Sequence, residues 1–256
     1  MKSIFVFILS TYHLLVFSQQ NVREVQIEYQ LFCNTNQATK LFTTLYANNN
    51  TAIYQEKYST AEDWQEHATK LPEGAKRFGG TDPDDPYLKI DSNSKKIFFF
   101  DIISNNNFLV EDNYPNFIWD ITSETKNIAG YSCIKATTSY RGRTWVAWFT
   151  PQIPISFGPW KLCGLPGLIV EAYDTDNKYT FKPVKIEFKK NDILKKDFAT
   201  LMQTKNTKPI TYQQFLKDTE EVNENLHAKL NDNPDITITR IPFPREGMEL
   251  KFEWEE

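Results

Sequence analysis

The chain has 256 residues, with 33 acidic against 29 basic side chains, a net charge of −4 and 14% aromatic residues. A mildly acidic, unpatterned charge balance excludes nucleic acid as a partner and gives no basis for charge-driven adhesion to an anionic leaflet. The length suits one large β-rich domain or two small ones, and the aromatic content suits either a substantial core or an aromatic-lined groove.

Read from the start, MKSIFVFILSTYHLLVFSQQ has Lys2 as a short positive region and an apolar stretch from Ile4 to Phe17. Val16 and Ser18 occupy the −3 and −1 positions of a cleavage site before Gln19. This is the layout of a secretory signal peptide over residues 1–18, too short and interrupted to span a bilayer. The expected mature product is periplasmic or secreted, with no transmembrane segment after cleavage.

From VQIEYQLFC onward, apolar and polar residues alternate with a period of two, the pattern of strands with one wet face. KLFTTLYA and AIYQEKY flank Asn48–Thr51 as a hairpin, and KKIFFFDII and FLVED flank Ser104–Asn107 as a second. FIWDITSET, a turn near Lys126-Asn127, YSCIKATTSY and the long strand RGRTWVAWFT follow. Short connections predict an antiparallel meander. A polar insertion at about 60–91 interrupts it, with AEDWQEHATKL as one short helix and GGTDPDDPY as loop. Asp82, Asp84 and Asp85 lack the glycine and spacing of an EF-hand, so no metal is expected there.

LIVEAY and YTFKPVKIEF flank a turn at Asp174–Asn177. Phe181 and Val184 are three apart, so the facing phase slips around Pro183, which predicts a bulge or an edge position. ITYQQFLKDTEEVNENLHAKL carries Tyr212, Phe215, Val222 and Leu226 at helical spacing and predicts an amphipathic helix over about 211–230, N-capped by Thr211. The tail ITITRIPFPREGMELKFEWEE returns to alternation and predicts a closing strand or two. The fold class is therefore mainly β (α+β). It is a long twisted antiparallel sheet, half-barrel-like, with one C-terminal helix and a short helix in the insertion, in a single domain over 19–256.

GPWKLCGLPGLIVEAYD is rich in glycine and proline. Leu165-Pro166-Gly167-Leu168 fits a type II turn, with Pro166 fixing φ at the second position and Gly167 accepting positive φ at the third. Gly164 allows close backbone approach or a bulge, Gly158 and Pro159 belong to the same structural motif, and Leu168 and Ile169 start a buried hairpin. The motif reads as a tight corner rather than as chemistry.

The whole stretch YSCIKATTSYRGRTWVAWFTPQIPISFGPWKLCGLPGLIVEAYD resembles the signature of the GLPGLI family, secreted proteins typical of the Bacteroidetes. The shared elements are Cys-x-x-Ala, Arg-Gly-Arg, Ala-Trp-Phe-Thr, Ile-Pro, Gly-Pro-Trp-Lys and the hexapeptide itself. The resemblance implies an envelope location, sometimes near outer-membrane transport components. It carries over no activity and no catalytic residues. A hydrophobic residue is more usual in that family where Cys163 stands.

Cys33, Cys133 and Cys163 allow one bridge and one free thiol, or three buried thiols. Cys133–Cys163, both within the signature stretch, is the pairing to test. After the leader the histidines are His67 and His227, both far from the signature, so neither a Ser-His-Asp nor a Cys-His arrangement is supported. No catalytic residue, metal or cofactor is assigned. Arg141 and Arg143 share a strand face with Trp145; with Trp160 they are the candidate ligand-binding platform, the alternative being cation–π packing and a structural Trp under a strand. The expected function is non-catalytic binding or carriage of an apolar or envelope-derived ligand (lipid, peptide or glycan). An accessory role in an outer-membrane complex is the alternative, and an uncharacterised hydrolase the second.

Overall fold

The computed structural model describes residues 24–35, 38–57, 87–103, 106–190, 192–195, 209–231, 245 and 247–255. The expected signal peptide, insertion helix and aspartate loop lie outside these residues.

Eleven strands follow in chain order: β1 (Val25–Asn34), β2 (Ala38–Ala47), β3 (Thr51–Lys57), β4 (Tyr87–Asp91), β5 (Lys96–Ile103), β6 (Asn106–Asn113), β7 (Asp120–Ile128), β8 (Tyr131–Tyr140), β9 (Arg143–Thr150), β10 (Leu168–Asp174) and β11 (Tyr179–Phe188). A short β12 (Pro209–Thr211) then leads directly into helix α1 (Tyr212–Asn231). The strands form one sheet in the order β12-β6-β5-β4-β3-β2-β1-β11-β10-β9-β8-β7. All pairings are antiparallel except β12 with β6, which is parallel. The mainly-β meander with a C-terminal helix is thus the fold; the sheet is open and mixed, with no ladder joining β7 to β12.

Alternation sets the inner face. Val25, Ile27, Tyr29 and Leu31 of β1 are buried, and their partners continue the layer through Leu45, Ala47, Ala52, Ile90 and Ile97 on one side. On the other side it runs through Phe181, Ala172, Ala147 and Trp145. The expected bulge is present: Glu28 faces Lys185 and Tyr29 faces Pro183, so Val184 is the extra residue. Proline tolerates this place because β11 pairs with β10 only at Phe181 and Thr180.

Four expectations are corrected. The strand RGRTWVAWFT begins at Arg143, because Arg141 (φ 43°) and Gly142 (φ 83°) form the two-residue turn of the β8–β9 hairpin. Positive φ at both positions matches the right-handed twist of the flanking strands. The same geometry at Ala129 (φ 52°) and Gly130 (φ 87°) places the preceding turn three residues beyond Lys126-Asn127. Tyr87–Asp91, expected inside the insertion, is strand β4. In the tail, residues 247–255 form no strand, with a bend at 247–248 and a turn at Glu253-Trp254; residues 236–244 and 246 of that tail lie outside the described residues.

Helix α1 starts where its cap predicts, with the Gln214 N–H donating to Thr211 Oγ1 at 3.2 Å. Phe215 is its buried anchor, packed with Ile103 and Val110. The side chains of Leu226 and Leu230 lie outside the described residues.

Candidate functional site

The segment between β9 and β10, residues 151–167, is the piece that fills the sheet. Ile153, Ile155, Phe157, Trp160, Leu162, Cys163 and Leu165 are all buried and join the strands in one core cluster. Its backbone substitutes for a strand: Leu168 N–H donates to the Ile153 carbonyl (2.9 Å) and Ile169 N–H to the Phe157 carbonyl (3.0 Å). Tyr29 seals the join by donating its hydroxyl to the Ile169 carbonyl at 2.6 Å, and burial pushes that phenol well above its usual range.

Two glycines here are demanded by contact. A Cβ on Gly167 would sit 2.2 Å from the Thr150 carbonyl oxygen, and one on Gly158 would sit 2.6 Å from Ile169 Cβ. The turn at the hexapeptide is not type II. Gly167 N–H bonds the Leu165 carbonyl across Pro166 (2.8 Å), while Leu168 N–H goes to Ile153 instead of back to Leu165. That makes it a three-residue γ-type turn. Pro159 belongs to a second corner, with Leu162 N–H bonding its carbonyl (3.2 Å). Gly164 takes φ 90° and presents only the indole of Trp119 as a neighbour.

The four platform residues all lie in the interior, the tryptophans in contact and the arginines in separate ion clusters. Arg141, Arg143, Trp145 and Trp160 are 7, 8, 0 and 9% exposed, so they form no surface platform. Trp145 packs on Trp160 (5.4 Å between ring centres) and on Phe181 (6.3 Å). Trp160 holds a left-handed conformation, φ 55°, unusual for a bulky residue and fixed here by Trp145 and Tyr140.

The arginines belong to two buried ion clusters. Arg143 Nη1 bonds Asp174 Oδ2 at 2.9 Å, and its Nε and Nη2 bond the Gly247 carbonyl at 2.8 and 2.6 Å. Arg141 makes a bidentate pair with Asp112 (2.7 and 2.9 Å) and also bonds Glu249 and Glu253. Lys161 joins from the loop, with Nζ 2.8 Å from Asp112 Oδ2 and 2.9 and 3.0 Å from the Glu249 oxygens. Tyr212, at the start of α1, donates to Glu249 at 3.0 Å. Phe252, Trp254, Tyr140 and Tyr212 wall the Arg141 guanidinium at 5.0 to 5.7 Å from their ring centres.

Burial works against ionising Asp112, but the Arg141 hydrogen bonds and the charges of Lys161 and Arg141 outweigh it and hold its carboxyl below the usual range. Burial likewise opposes the Arg141 charge; Asp112, Glu249 and Glu253 reverse that and push it further up. Burial raises the phenols of Tyr140 and Tyr212 far from neutrality. Burial also lifts the Cys133 and Cys163 thiols to about 11. No disulfide joins Cys133 and Cys163. Among the described residues no group of His, Cys, Asp and Glu could hold a metal ion.

Sequence reasoning missed Asp112, Asp174 and Glu249. A signal existed for two of them: Asp112 stands in phase with Phe108 and Val110, and Asp174 with Val170 and Ala172, at positions that alternation sends inward. A carboxylate in an inward phase announces a buried cation nearby. Glu249 gives no such signal, because it stands in the polar phase of the alternating tail, between Met248 and Leu250.

The fold and these residues define a β-sheet domain closed by buried ion pairs, and comparison supplies its family. The chain belongs to the family described as N-glycanase peptide, N-terminal domain, whose model matches residues 27–214. That is a different named family from the one its signature stretch resembles. The chain is similar to the structure of PNGF-II in a C2 crystal form (18% identity, TM-score 0.54, covering 78% of this chain and 33% of that one). It is similar also to PNGF-II in a P21 form (19%, 0.53, 78% and 34%). The chain therefore spans about a third of the PNGF-II chain, and at this identity the likeness is one of fold. A LolA superfamily protein from Nitrosomonas europaea is far more distant (7%, 0.29, 70% and 92%) and bears on nothing below. No curated protein matches.

Proposed function

We propose that the chain is a non-catalytic accessory domain of the cell envelope, which holds a partner polypeptide rather than transforming a substrate. One observation carries this reading: the titratable groups that the fold gathers are already engaged with one another. Asp112 and Glu249 are saturated by Arg141, Lys161 and Tyr212, and the thiols lie several units above neutrality. A general acid or base needs a pKa near the working pH and a free lone pair or proton. A carrier needs an open apolar cavity, and the inner face here is occupied by the chain's own Phe157, Trp160 and Leu162.

The family ties the domain to N-glycanases, and the match covers about a third of PNGF-II. In this reading the shared third supports and positions, and bond cleavage belongs to another domain or chain. The envelope location rests on the signal-like leader, and no described helix is long and apolar enough to cross a membrane.

The test is native mass spectrometry of the mature chain with an N-glycosylated peptide, and of the chain purified gently from its own envelope. The reading expects intact glycopeptide and a stoichiometric polypeptide partner that rebinds once purified. Released glycan would contradict it.

A further inference from the structure

β11 changes neighbours halfway along its length. It pairs with β1 from Tyr179 to Phe188, but with β10 only at Thr180 and Phe181. Beyond Phe181 the two strands part, and Ile169 of β10 bonds elsewhere, its N–H to the Phe157 carbonyl and its carbonyl to the Tyr29 hydroxyl. Lys182 to Phe188 thus has no second strand among the described residues. It is an edge within the sheet rather than at its end.

This edge is exposed and mixed in character. Val184 and Phe188 are 54 and 49% exposed, with Pro183 and Ile186 half-buried between them. Lys182, Lys185, Lys189 and Lys190 are exposed around them against a single glutamate, Glu187, which pairs with Lys185 (2.9 Å) and Lys189 (3.1 Å). Even with Glu24 and Glu28 nearby, four lysines in nine residues stand out on a chain of net charge −4. Exposed sheet edges normally carry such lysines against unwanted pairing, and an edge with lysines and apolar side chains also matches an extended acidic peptide. The outer edge, β7, lacks that bias: its Glu124 is paired with Lys135 and its ladder is broken between Ile121 and Thr125.

We infer that the inner half-edge of β11 receives an extended, acidic segment of a partner polypeptide as an added strand. The segment's main chain bonds Lys182–Phe188, its apolar side chains cover Val184 and Phe188, and its carboxylates face Lys182 and Lys190. This rests on the accessory reading above and names the site through which it works.

The test uses the full mature chain and a fluorescent ten-residue peptide alternating Glu and Val. Two controls are the same peptide with alternate backbone amides methylated, and one with Lys in place of Glu. Binding is expected to fall at least tenfold with either control, and at least tenfold in the exposed variant pair Lys182→Glu/Lys190→Glu, with folding verified by circular dichroism. Absence of binding, or binding indifferent to methylation, overturns the inference. So does exclusive binding to vesicles of anionic phospholipid. If the purified natural partner binds the Lys182→Glu/Lys190→Glu variant as tightly as the parent, the accessory reading survives and this edge is not its site.

Discussion

Arg141 accepts a left-handed backbone so that its guanidinium can enter the sheet from a hairpin tip, and Leu250 N–H secures that tip by bonding its carbonyl at 2.7 Å. Glycine meets a different demand at position 167, where the Thr150 carbonyl leaves no room for a methyl group. Gly167→Ala should lower stability by about 3 kcal/mol, the upper range for overpacking against unyielding backbone, as read by urea denaturation. A loss below about 0.5 kcal/mol would mean that the corner is looser than described. The cysteines give a chemical counterpart. With Cys163 buried beside Tyr114 and its thiol lifted to about 11, iodoacetamide at pH 7.5 should label Cys133 and Cys163 only on unfolding, and mass mapping should find them unbridged. Rapid labelling of the native chain would contradict this.

At the scale of elements, what could be read in the sequence was local. Alternation, the slip at Pro183 and the Thr211 cap each depend on neighbours within a few residues, and each appears where expected. The β8–β9 turn was misread because Arg141 keeps the alternating phase of Arg143 and Trp145, while its positive φ shows only in the backbone. The ion cluster was illegible because Arg141 lies 29 residues from Asp112 and 108 from Glu249. No periodicity links such partners. The sequence therefore pointed to the right arginines and tryptophans, and of its two readings, an exposed platform or packing under a strand, the structure takes the buried one.

The cluster makes a prediction about acid. The folded-state pKa of Asp112 is depressed, so its contribution is complete above the ordinary carboxylate pKa of about 4 and is lost as pH falls through the folded value. Urea midpoints from pH 7 to pH 3 should decline less steeply below about pH 4 in Asp112→Asn than in the parent, from a lower start at pH 7. Parallel curves would remove Asp112 from the linkage.

On the scale of the molecule, the cluster explains how an open sheet holds its shape. β6 and β9 are eight strands apart in the sheet order, a path of about 38 Å if the sheet were flat. Asp112 of β6 nevertheless bonds Arg141, at the tip leading into β9, at 2.7 Å. The sheet must curl until its two limbs face each other. They are joined there by side chains, with Lys161 of the filling loop, Tyr212 of α1 and Glu249 of the tail completing the clasp. Signature, helix and tail converge on one structural task. Desolvating these charges is costly, so the clasp is best regarded as specifying one closure rather than as adding large net stability.

The most direct test of that claim is a double-mutant cycle on Asp112→Asn and Arg141→Met, followed by urea unfolding. If the clasp closes the sheet, each single change costs about 3–5 kcal/mol, because it strands a buried charge, and the double variant costs well below the sum. Single losses under about 1 kcal/mol that add without coupling would show that the limbs are held by something else.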